Sequence, residues 1–469
     1  MEFGNHLYRE FEEAWEANNG YRLAATINPD LSAAQLGKIH QSIDPDSGNW
    51  KASQEDNVKG SIKRGLQSTS IRTRGFDNDE IKGWTDVYFA YWTVTGTLAR
   101  ARAQGPSSQV SLQLLWTEVF EQWKKFVNAL VQGYNNYGFE AWTIPCLYVA
   151  GKYLRLFAMQ ADDERSKNPS ENDSANAFQD DFDPETDKHQ KLEDCARVLN
   201  RVFSVCLNDR APLEESRKWG IYFIINLLFK TYFKLNSPSL SKNVLRILTA
   251  GRGDMPDFYS FPRSQQVTFK YHEGVLNFLE ENYAEAEKHL TEAWGLCHKD
   301  AIRNKELILT YLVPCRLITT HTLPTEKLLE PYPRLQRLFL PLCRCIKKGE
   351  LHAFDLALQE GEDEFVKRRI YLTLERGRDI ALRNLLRKVF IAGGFMPAAE
   401  GEKPVRRTRI PVAEFAAAIS LGSQERLDND EVECLLANMI YKGLMKGYIS
   451  REQGKVVLSK SGAFPGTGV

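Results

Sequence analysis

The sequence has no apolar run long enough to cross a membrane. Its longest, IYFIINLLF at 221–229, is nine residues long, whereas a spanning helix needs about 20. The first residues, MEFGNHLYREFEEAW, also lack the basic segment and apolar stretch of a secretion signal. We therefore expect a chain with no secretion signal and no membrane attachment, located in the nucleus and the cytoplasm.

Cysteines are few, and they are scattered along the chain. Cys343 and Cys345 form a CxC motif, but no second Cys or His pair follows at the spacing of a zinc site. Most of the eight cysteines have apolar neighbours in the sequence. We interpret them as reduced core residues, and we predict no metal site and no cofactor.

Motifs of catalysis and of phosphate-binding loops are absent as well. The chain contains no GxxxxGK[ST], HExxH or GxSxG, and no GxGxxG after a predicted strand. The paired glycines of AGRGDMPD (250–257) are soon followed by Pro256, so we predict an ordinary loop there. With no catalytic residue to name, the sequence favours a protein that is not an enzyme.

Charge is balanced over the whole chain but not along it. Lys and Arg total 61, as do Asp and Glu, which excludes a uniformly basic protein but not a local basic surface. Segment 161–190 holds ten acidic and three basic residues, so we predict a disordered acidic insertion there. Segment 61–75, SIKRGLQSTSIRTRG, has four basic residues and no acidic one. It is either a mobile loop or an arm that contacts phosphates.

Apolar residues recur every three or four positions over most of the chain, which predicts helices. We predict an N-terminal helical region at 1–160 and helical repeats at 191–400, on either side of the acidic insertion. In the second region, candidate helices follow one another with short connections and without strand signals. This succession is typical of an α-solenoid built from helix pairs.

One stretch, GVLNFLEENYAEAEKHLTEAWGLC at 274–297, predicts such a pair in detail. Small residues at Gly274, Ala286 and Ala293, with Leu290 between them, follow the spacing of a tetratricopeptide (TPR) repeat. Small side chains let two helix backbones approach closely, and Leu290 would fill the groove. The match is partial, because the closing Pro of the repeat is replaced by His298. We predict one degenerate TPR-like pair within a stack.

The pattern changes at about residue 401. PVAEFAAAISL and LDNDEVECLLANMIYKGLMKG predict two helices. We expect Pro411 in the first turn of the first helix, and Asp428 and Glu431 as a capping box in the second. YIS and KVVLS then alternate like a small hairpin, with Gly454 in the turn. Two helices and a hairpin predict a winged-helix subdomain at 401–469.

A helical repeat region that runs into a C-terminal winged helix resembles the PCI-domain family. The resemblance is carried by ECLLANMIYKGLMKGYIS (433–450), KVVLSKSGAFP (455–465), CIKKGELHAFDLAL (345–358) and YLTLERGRDIALRNLLRKVF (371–390). These stretches are most similar to the branch of COP-nine signalosome subunit twelve, PCI-domain-containing protein two and the Thp-one mRNA-export subunit. The resemblance implies an all-α solenoid of TPR-like pairs ending in an α+β winged helix, together a PCI domain.

The same resemblance implies a scaffold without an active site. It implies pairing with a second PCI protein of the Sac-three type, docking of a small acidic subunit of the Sem/DSS type, and binding of RNA or double-stranded DNA. We therefore expect a non-enzymatic scaffold subunit in nuclear mRNA biogenesis, in transcription-coupled processing or export. The alternative is a structural subunit that associates with COP-nine signalosome subunits, where a partner carries out deneddylation.

One basic run stands out against the neutral total. Residues 365–409 hold twelve basic and four acidic residues, a net charge of +8. Spacings of seven and four place three of its arginines on one predicted helix face, and two lysines four apart are expected on the exposed side of the second winged-helix helix. Others lie in the hinge and beside the wing. The predicted nucleic-acid-binding residues are Arg376, Arg383, Arg387, Arg406, Arg407, Arg409, Lys442, Lys446, Arg451, Lys455 and Lys460.

Two interpretations of these cations stay open. They form either a solvated face that docks an acidic partner, or a phosphate track with salt-dependent, sequence-independent affinity. Acidic residues around 425–433 leave the winged helix only slightly basic. This favours backbone binding, shared with a second basic chain, over base reading by the second helix alone. A further hypothesis is that the acidic insertion folds back on the basic surface and competes with nucleic acid.

Overall fold

The structure is a computed structural model that describes residues 2–43, 55–67, 77–103, 109–167, 189–396, 406–424 and 426–469. The chain forms two compact units, Met1–Phe269 and Lys270–Val469. Within the described ranges both units are helical, except for one small sheet near the C-terminus. None of the described helices is long and apolar enough to span a membrane.

The helices of the first half follow one another with mostly short connections. In chain order they are α1 (Glu2–Glu16), α2 (Gly20–Thr26), α3 (Ala33–Ile43), α4 (Glu55–Gln67), α5 (Asn78–Ala103), α6 (Gln109–Asn136), α7 (Pro145–Lys167), α8 (Gln190–Leu207), α9 (Ile221–Lys234) and α10 (Ser239–Ala250). Short 3-10 turns lie between some of them, at Ala141–Thr143, Leu213–Glu215 and Arg217–Gly220, and two more follow α10, at Arg252–Asp254 and Phe258–Ser260.

Large aromatic side chains fill the interior of the first unit. Trp84 of α5 and Trp123 of α6 are fully buried, and the Trp84 ring stacks on Phe139 with ring centroids 4.3 Å apart. The Trp123 indole N–H donates to the Ala150 carbonyl at 2.8 Å, so its polar atom is satisfied inside the core. Because α3, α4 and α6 all pack against α5, that helix is apolar on most of its faces.

Helix α7 continues to Lys167, so the acidic segment that begins at 161 starts inside a helix. Asp162 is buried, and its carboxylate accepts hydrogen bonds from the backbone N–H groups of Lys191 and Leu192, each at 3.0 Å. Those N–H groups belong to the first turn of α8 and have no partner within the helix. The remaining acidic residues, 168–188, lie outside the described residues.

The basic segment 61–75 also begins inside a helix. Lys63 and Arg64 lie on α4, which runs to Gln67. The Arg64 guanidinium donates to the Gly60 carbonyl one turn earlier. Positions 68–75, which include Arg72 and Arg74, lie outside the described residues, so the choice between a loop and a phosphate-contacting arm stays a prediction.

The helices that follow are α11 (Arg263–Leu279), α12 (Tyr283–Leu296), α13 (Ile302–Thr319), α14 (Glu326–Leu329), α15 (Pro333–Lys348), α16 (Leu351–Glu360), α17 (Glu362–Lys367), α18 (Tyr371–Glu375) and α19 (Gly377–Ala392). The predicted TPR-like pair is confirmed as α11 and α12, and Ala286, Leu290 and Ala293 are completely buried. A Cβ added at Gly274 would lie 2.6 Å from Leu290 Cγ, so the close approach of the two helices requires glycine.

The C-terminal part is a winged helix, as predicted. Its elements are β1 (Arg409–Pro411), α20 (Val412–Ser423), α21 (Asn429–Tyr441), β2 (Gly447–Ser450) and β3 (Lys455–Leu458). The strands are antiparallel in the order β1-β3-β2. The capping box of Asp428 and Glu431 at the start of α21 is confirmed. The predicted fold class, all-α helix pairs followed by an α+β winged helix, is therefore confirmed.

Two details of the winged helix differ from the sequence prediction. Strand β1 was not predicted, because three residues are too short a run to show alternation. Pro411, expected inside the first helical turn, is the last residue of β1 and the N-cap of α20, with φ −56° and ψ 137°. This extended backbone fits a proline at the end of an edge strand.

Candidate nucleic-acid interface

The arginines of the basic run face different surroundings. Arg376 lies just before α19, and its guanidinium nitrogen Nη2 is 2.7 Å from Glu281 Oε2. The same guanidinium lies over the Tyr283 ring, 5.7 Å from its centroid. Arg387 is half-buried and donates from Nη2 to the Thr467 carbonyl at 3.4 Å. Arg376 is therefore exposed but paired with an acid, and Arg387 is only partly accessible.

Arg383 lies in the interior, with only 6% of its surface exposed. Its Nη1 donates to His321 Nδ1 at 3.0 Å. Helices α15, α16, α18 and α20 all pack against α19, so the helix face predicted from the spacing of the arginines is largely covered. This is a correction to the sequence prediction, because Arg383 is not available to a nucleic-acid backbone that passes over the surface.

The two hinge arginines hold the start of the winged helix in place. Arg406 forms an antiparallel bridge with Phe395, and its guanidinium lies 4.7 Å from the centroid of that ring. Arg407 Nη2 is 2.8 Å from Glu414 Oε1, near the start of α20. Both side chains therefore already interact with neighbouring groups of the chain.

The second winged-helix helix is acidic at its start and has no cation. The sequence of α21, NDEVECLLANMIY, contains no Lys or Arg. Arg451 of the wing loop lies 3.0 Å from Asp430 and 3.6 Å from Glu433. A helix with this charge is poorly suited to enter a groove between two phosphate strands.

The two lysines expected on this helix do not share it. Helix α21 ends at Tyr441, Lys442 is its C-cap, and Gly443 has a left-handed backbone with φ +69° that turns the chain away. Lys442 Nζ lies 2.6 Å from Asp379 Oδ2. Lys446 follows the turn and is exposed next to β2. The predicted spacing of one helical turn between these lysines is therefore wrong.

The strand register brings other predicted cations together on the sheet. Arg409, Val457 and Tyr448 lie opposite one another across the three strands, as do Ile410, Val456 and Ile449 in the next row. Ile410 and Val456 are buried, whereas Arg409 and Tyr448 are exposed. The second row therefore faces the core and the first row faces solvent.

Alternation extends the solvent face of the sheet in both directions. Lys455 is two residues from Val457 on β3 and is exposed. The Ser459 N–H donates to the Lys446 carbonyl at 2.9 Å, which continues the pairing of β2 with β3 and puts Lys446 on the side of Tyr448. We call this surface the wing face and define it as Arg409, Lys446, Tyr448 and Lys455. Lys460 follows it, also exposed.

The wing face is the part of the predicted site that can meet a polyanion. Among the described residues no acidic side chain forms an ion pair with its three cations or with Lys460. Arg409 lies on β1, Lys455 on the central strand β3 and Lys446 directly before β2, so the three cations are spread across the face and can contact different phosphates of one backbone. Tyr448 is 62% exposed and offers a ring on which an unpaired base can stack.

Tyr448 is the member of the wing face that the sequence analysis did not name. Its signal was present in the alternation of YIS and KVVLS, which separates Tyr448 and Lys455 from the buried residues. What the sequence lacked was the pairing of β1 with β3, because Arg409 and Val457 are far apart along the chain.

Seven of the eight cysteines are buried and none is in a disulfide, whereas Cys434 is exposed on α21. In the described ranges, no group of His, Cys, Asp and Glu side chains is arranged to hold a metal ion. Burial raises the pKa of the thiols of Cys315 and Cys343 to about 12. These thiols are therefore protonated at neutral pH and unsuited to nucleophilic chemistry.

Helix pairs that lead into a winged helix with a three-stranded sheet define the PCI architecture. The family model of the PCI domain matches residues 358–460, from the end of α16 to the residue that follows the wing face. These residues include α19 and the whole winged helix. Proteins of this class are scaffold subunits of larger assemblies.

Relatives extend the similarity over the whole chain. The chain is 66% identical over 465 residues to the CSN12 homolog of Neurospora crassa, covering 99% of each protein. It is 60% identical to the CSN12 homolog of Gibberella zeae, covering 99% of this chain and 100% of that protein. With PCI domain-containing protein 2 of Danio rerio the identity is 32%, over 72% of this chain and 77% of that protein. The chain therefore belongs to the CSN12 homolog and PCI domain-containing protein 2 family of PCI-domain proteins.

Proposed function

We propose that this scaffold subunit is not an enzyme and that it binds the sugar–phosphate backbone of nucleic acid through the wing face. The observation that carries the proposal is the convergence of Arg409, Lys446 and Lys455 on one exposed sheet face beside Tyr448. The other predicted cations mostly interact with groups of the chain itself, so they contribute little to a phosphate track.

The charge distribution supports backbone binding rather than base reading. The acids Asp430 and Glu433 stand at the start of α21, the helix that other winged helices place in the major groove. Contacts from Lys and Arg to phosphates fix the position of a nucleic acid without reading its sequence. We therefore propose an affinity that depends strongly on salt and weakly on sequence, for RNA or double-stranded DNA.

We further propose that the winged helix also binds protein partners. Tyr441 is 90% exposed and Leu421 82% exposed, and such apolar surface favours a protein contact. The partners in this proposal are a second PCI protein of the Sac-three type and a small acidic subunit of the Sem/DSS type. The resulting complex would act in nuclear mRNA processing or export.

A second candidate function is supported by the names of the relatives. Several are called CSN12 homolog, a name that points to the COP-nine signalosome. In that case the chain would be a structural subunit, and a partner would carry out deneddylation. The wing face distinguishes the two candidate functions, because nucleic-acid binding requires its cations to contact phosphates and the signalosome role does not.

The test is a titration of labelled single-stranded RNA and duplex DNA with the full chain over a salt series. The variant Arg409→Ala/Lys446→Ala/Lys455→Ala should reduce the slope of log affinity against log salt by about 2–3, because each lost phosphate contact removes about 0.7–0.9. The double variant Lys299→Ala/Lys327→Ala changes exposed lysines elsewhere and should leave the slope unchanged. An unaltered slope in the triple variant would contradict the proposal.

A tagged pull-down from nuclear extract distinguishes the two assemblies. Recovery of a second PCI protein together with a small acidic subunit supports the first function. Recovery of a stoichiometric set of signalosome subunits supports the second. The pull-down does not depend on the salt titration. If the titration contradicts phosphate binding by the wing face, the pull-down still tests the scaffold role.

A further inference from the structure

Two arginines of α19 carry charge that nothing described in their surroundings balances. Arg383 is buried and Arg387, one turn later, is half-buried. The Nε atoms of both are inaccessible to solvent and have no hydrogen-bond partner. No described carboxylate forms an ion pair with either guanidinium, in contrast to Arg376 and Arg378 at the start of the same helix.

The groups that do contact these guanidinium groups are neutral. Arg383 Nη1 donates to His321 Nδ1 at 3.0 Å, and its Nη2 lies 3.5 Å from Asn384 Oδ1. Arg387 reaches the Thr467 carbonyl at 3.4 Å. Because Nδ1 of His321 accepts from an arginine, the imidazole is neutral and its proton sits on Nε2. His321 has φ +52°, an unusual conformation for a residue with a side chain.

Neighbouring positive charge affects two of these groups, Arg383 and His321. Burial and the charge of Arg387 lower the pKa of Arg383, and burial and the charge of Arg383 lower the pKa of His321. An arginine does not shed its proton under physiological conditions. Removing two such charges from water without a counter-charge is unfavourable, and neutral acceptors compensate for it only in part.

We propose that Arg383, Arg387 and His321 form a binding site for a small phosphate-bearing anion. The site borders solvent at Arg387 and His321, both half-buried, so a small anion can reach it although a nucleic-acid backbone on the surface cannot. The Nη1 group of Arg387 and the Nε2–H of His321, which have no acceptor among the described residues, supply the donors, and the buried Arg383 adds its charge behind them. Donors on two separate side chains, backed by two positive charges, suit the several oxygens of a tetrahedral oxyanion better than a planar carboxylate with two oxygens.

This site is distinct from the wing face and does not rest on the proposed function. Its three residues come from the loop after α13 and from α19, whereas the wing face lies on the sheet. An anion held here would join the loop after α13 to α19 and, through Arg387, to the C-terminal segment at Thr467. The expected effect is therefore on the stability of the second unit rather than on nucleic-acid affinity.

The test is thermal unfolding of the full chain in millimolar inorganic phosphate, compared with chloride at equal ionic strength and pH 7.5. For the natural sequence we expect Tm to rise with phosphate and then saturate, by about 2 °C or more. Arg387→Gln removes one charge from the pair. In chloride this variant should be at least as stable as the natural sequence. In phosphate it should be less stable than the natural sequence, because it lacks the phosphate-dependent rise in Tm. A merely structural arginine would lose stability equally in both salts.

Lys388→Gln is the matched control, because Lys388 is exposed, adjacent and bound to the Lys348 carbonyl. The Tm of this variant should rise with phosphate as much as that of the natural sequence. Any general stabilisation of folded proteins by phosphate affects both equally. The proposal is overturned if phosphate and chloride give the same Tm, or if Arg387→Gln retains the saturable rise. Half-saturation by glutamate at the same concentration as phosphate would also overturn it, in favour of a carboxylate from an acidic chain.

Discussion

Lys442 Nζ and Asp379 Oδ2 are 2.6 Å apart and join the end of α21 to the first turn of α19. The contact fixes the winged helix against the last helix of the repeats, across 63 positions of sequence. A lysine that the sequence suggested for phosphate binding is therefore part of the internal structure of the second unit. Lys446, four residues later, remains exposed on the wing face.

This difference predicts opposite outcomes for two neighbouring lysines. Lys446→Ala should weaken nucleic-acid binding and lower the salt slope by about 0.7–0.9. Lys442→Ala should leave binding within about twofold and reduce the free energy of unfolding by about 1 kcal/mol or less, as expected for a partly exposed ion pair. Fluorescence anisotropy and urea unfolding on the same two variants check both halves. Equal loss of binding in both would show that the wing face is placed wrongly.

Neutralising the start of α21 should tighten nucleic-acid binding. Asp430→Asn/Glu433→Gln removes two negative charges and frees Arg451, which these acids now hold. Arg451 can then contact a phosphate, so the salt slope should steepen by about one contact. The capping box of Asp428 and Glu431 stays intact, and circular dichroism checks that helix content is unchanged. A weaker or unchanged affinity would mean that nucleic acid does not approach this side of the wing.

The TPR-like pair should be sensitive to a single methyl group. In Gly274→Ala the new Cβ would meet Leu290 Cγ at 2.6 Å and the Leu290 backbone nitrogen at 3.2 Å. Overpacking of this kind costs about 1–3 kcal/mol of unfolding free energy. Gly295→Ala, where an added Cβ meets nothing within 4 Å, is the control and should be neutral or slightly stabilising. Chemical denaturation distinguishes the two, and equal effects would argue against a close helix contact.

The first unit contains a carboxyl group whose ionisation opposes folding. Burial, with the negative charges of Glu140 and Asp77, raises the pKa of Glu80 from 4.5 to about 8. The folded chain therefore holds a proton at Glu80 that the unfolded chain has released, and stability falls as pH rises from about 4.5 to 8. Glu80→Gln should add about 1–2 kcal/mol at pH 8, after allowance for partial exposure, and almost nothing at pH 4.5.

Urea unfolding of the Glu80→Gln variant at several pH values measures this window. Asp79→Asn, one position earlier and exposed, is the control and should show no such pH-dependent gain. If the gain from Glu80→Gln were the same at pH 4.5 and pH 8, the cause would be the shape or hydrogen bonding of glutamine rather than the charge.

Local sequence patterns were sufficient to predict the helices and the winged helix. Which of the predicted cations are exposed depends on contacts between residues that are far apart in the sequence. The start of α21 was readable because Asp428 and Glu431 satisfy each other within one turn. The position of Arg383 was not readable, because spacing along a helix identifies a face but not whether another helix covers it. Strand β1 was missed for a related reason, since Arg409 gains its place on the wing face only by pairing with a distant strand.

Charge counting had the same weakness. The net charge of +8 over residues 365–409 suggested an open basic track, yet several of its arginines meet acids elsewhere, such as Glu281, Asp355 and Glu414. The net charge of one segment does not show which of its arginines form ion pairs with acidic residues from other segments of the folded chain. The exposed cations of Lys446 and Lys455 lie outside that stretch altogether.

The Asp162 carboxylate, which caps α8, gives the acidic segment fixed endpoints. Because Lys191 and Leu192 are held on the last turns of α7, the chain that leaves after Lys167 returns to the place it left. This is the natural position for inserting a fluorescent protein or an affinity tag, and the same property would let the segment change length over evolution without disturbing the helices.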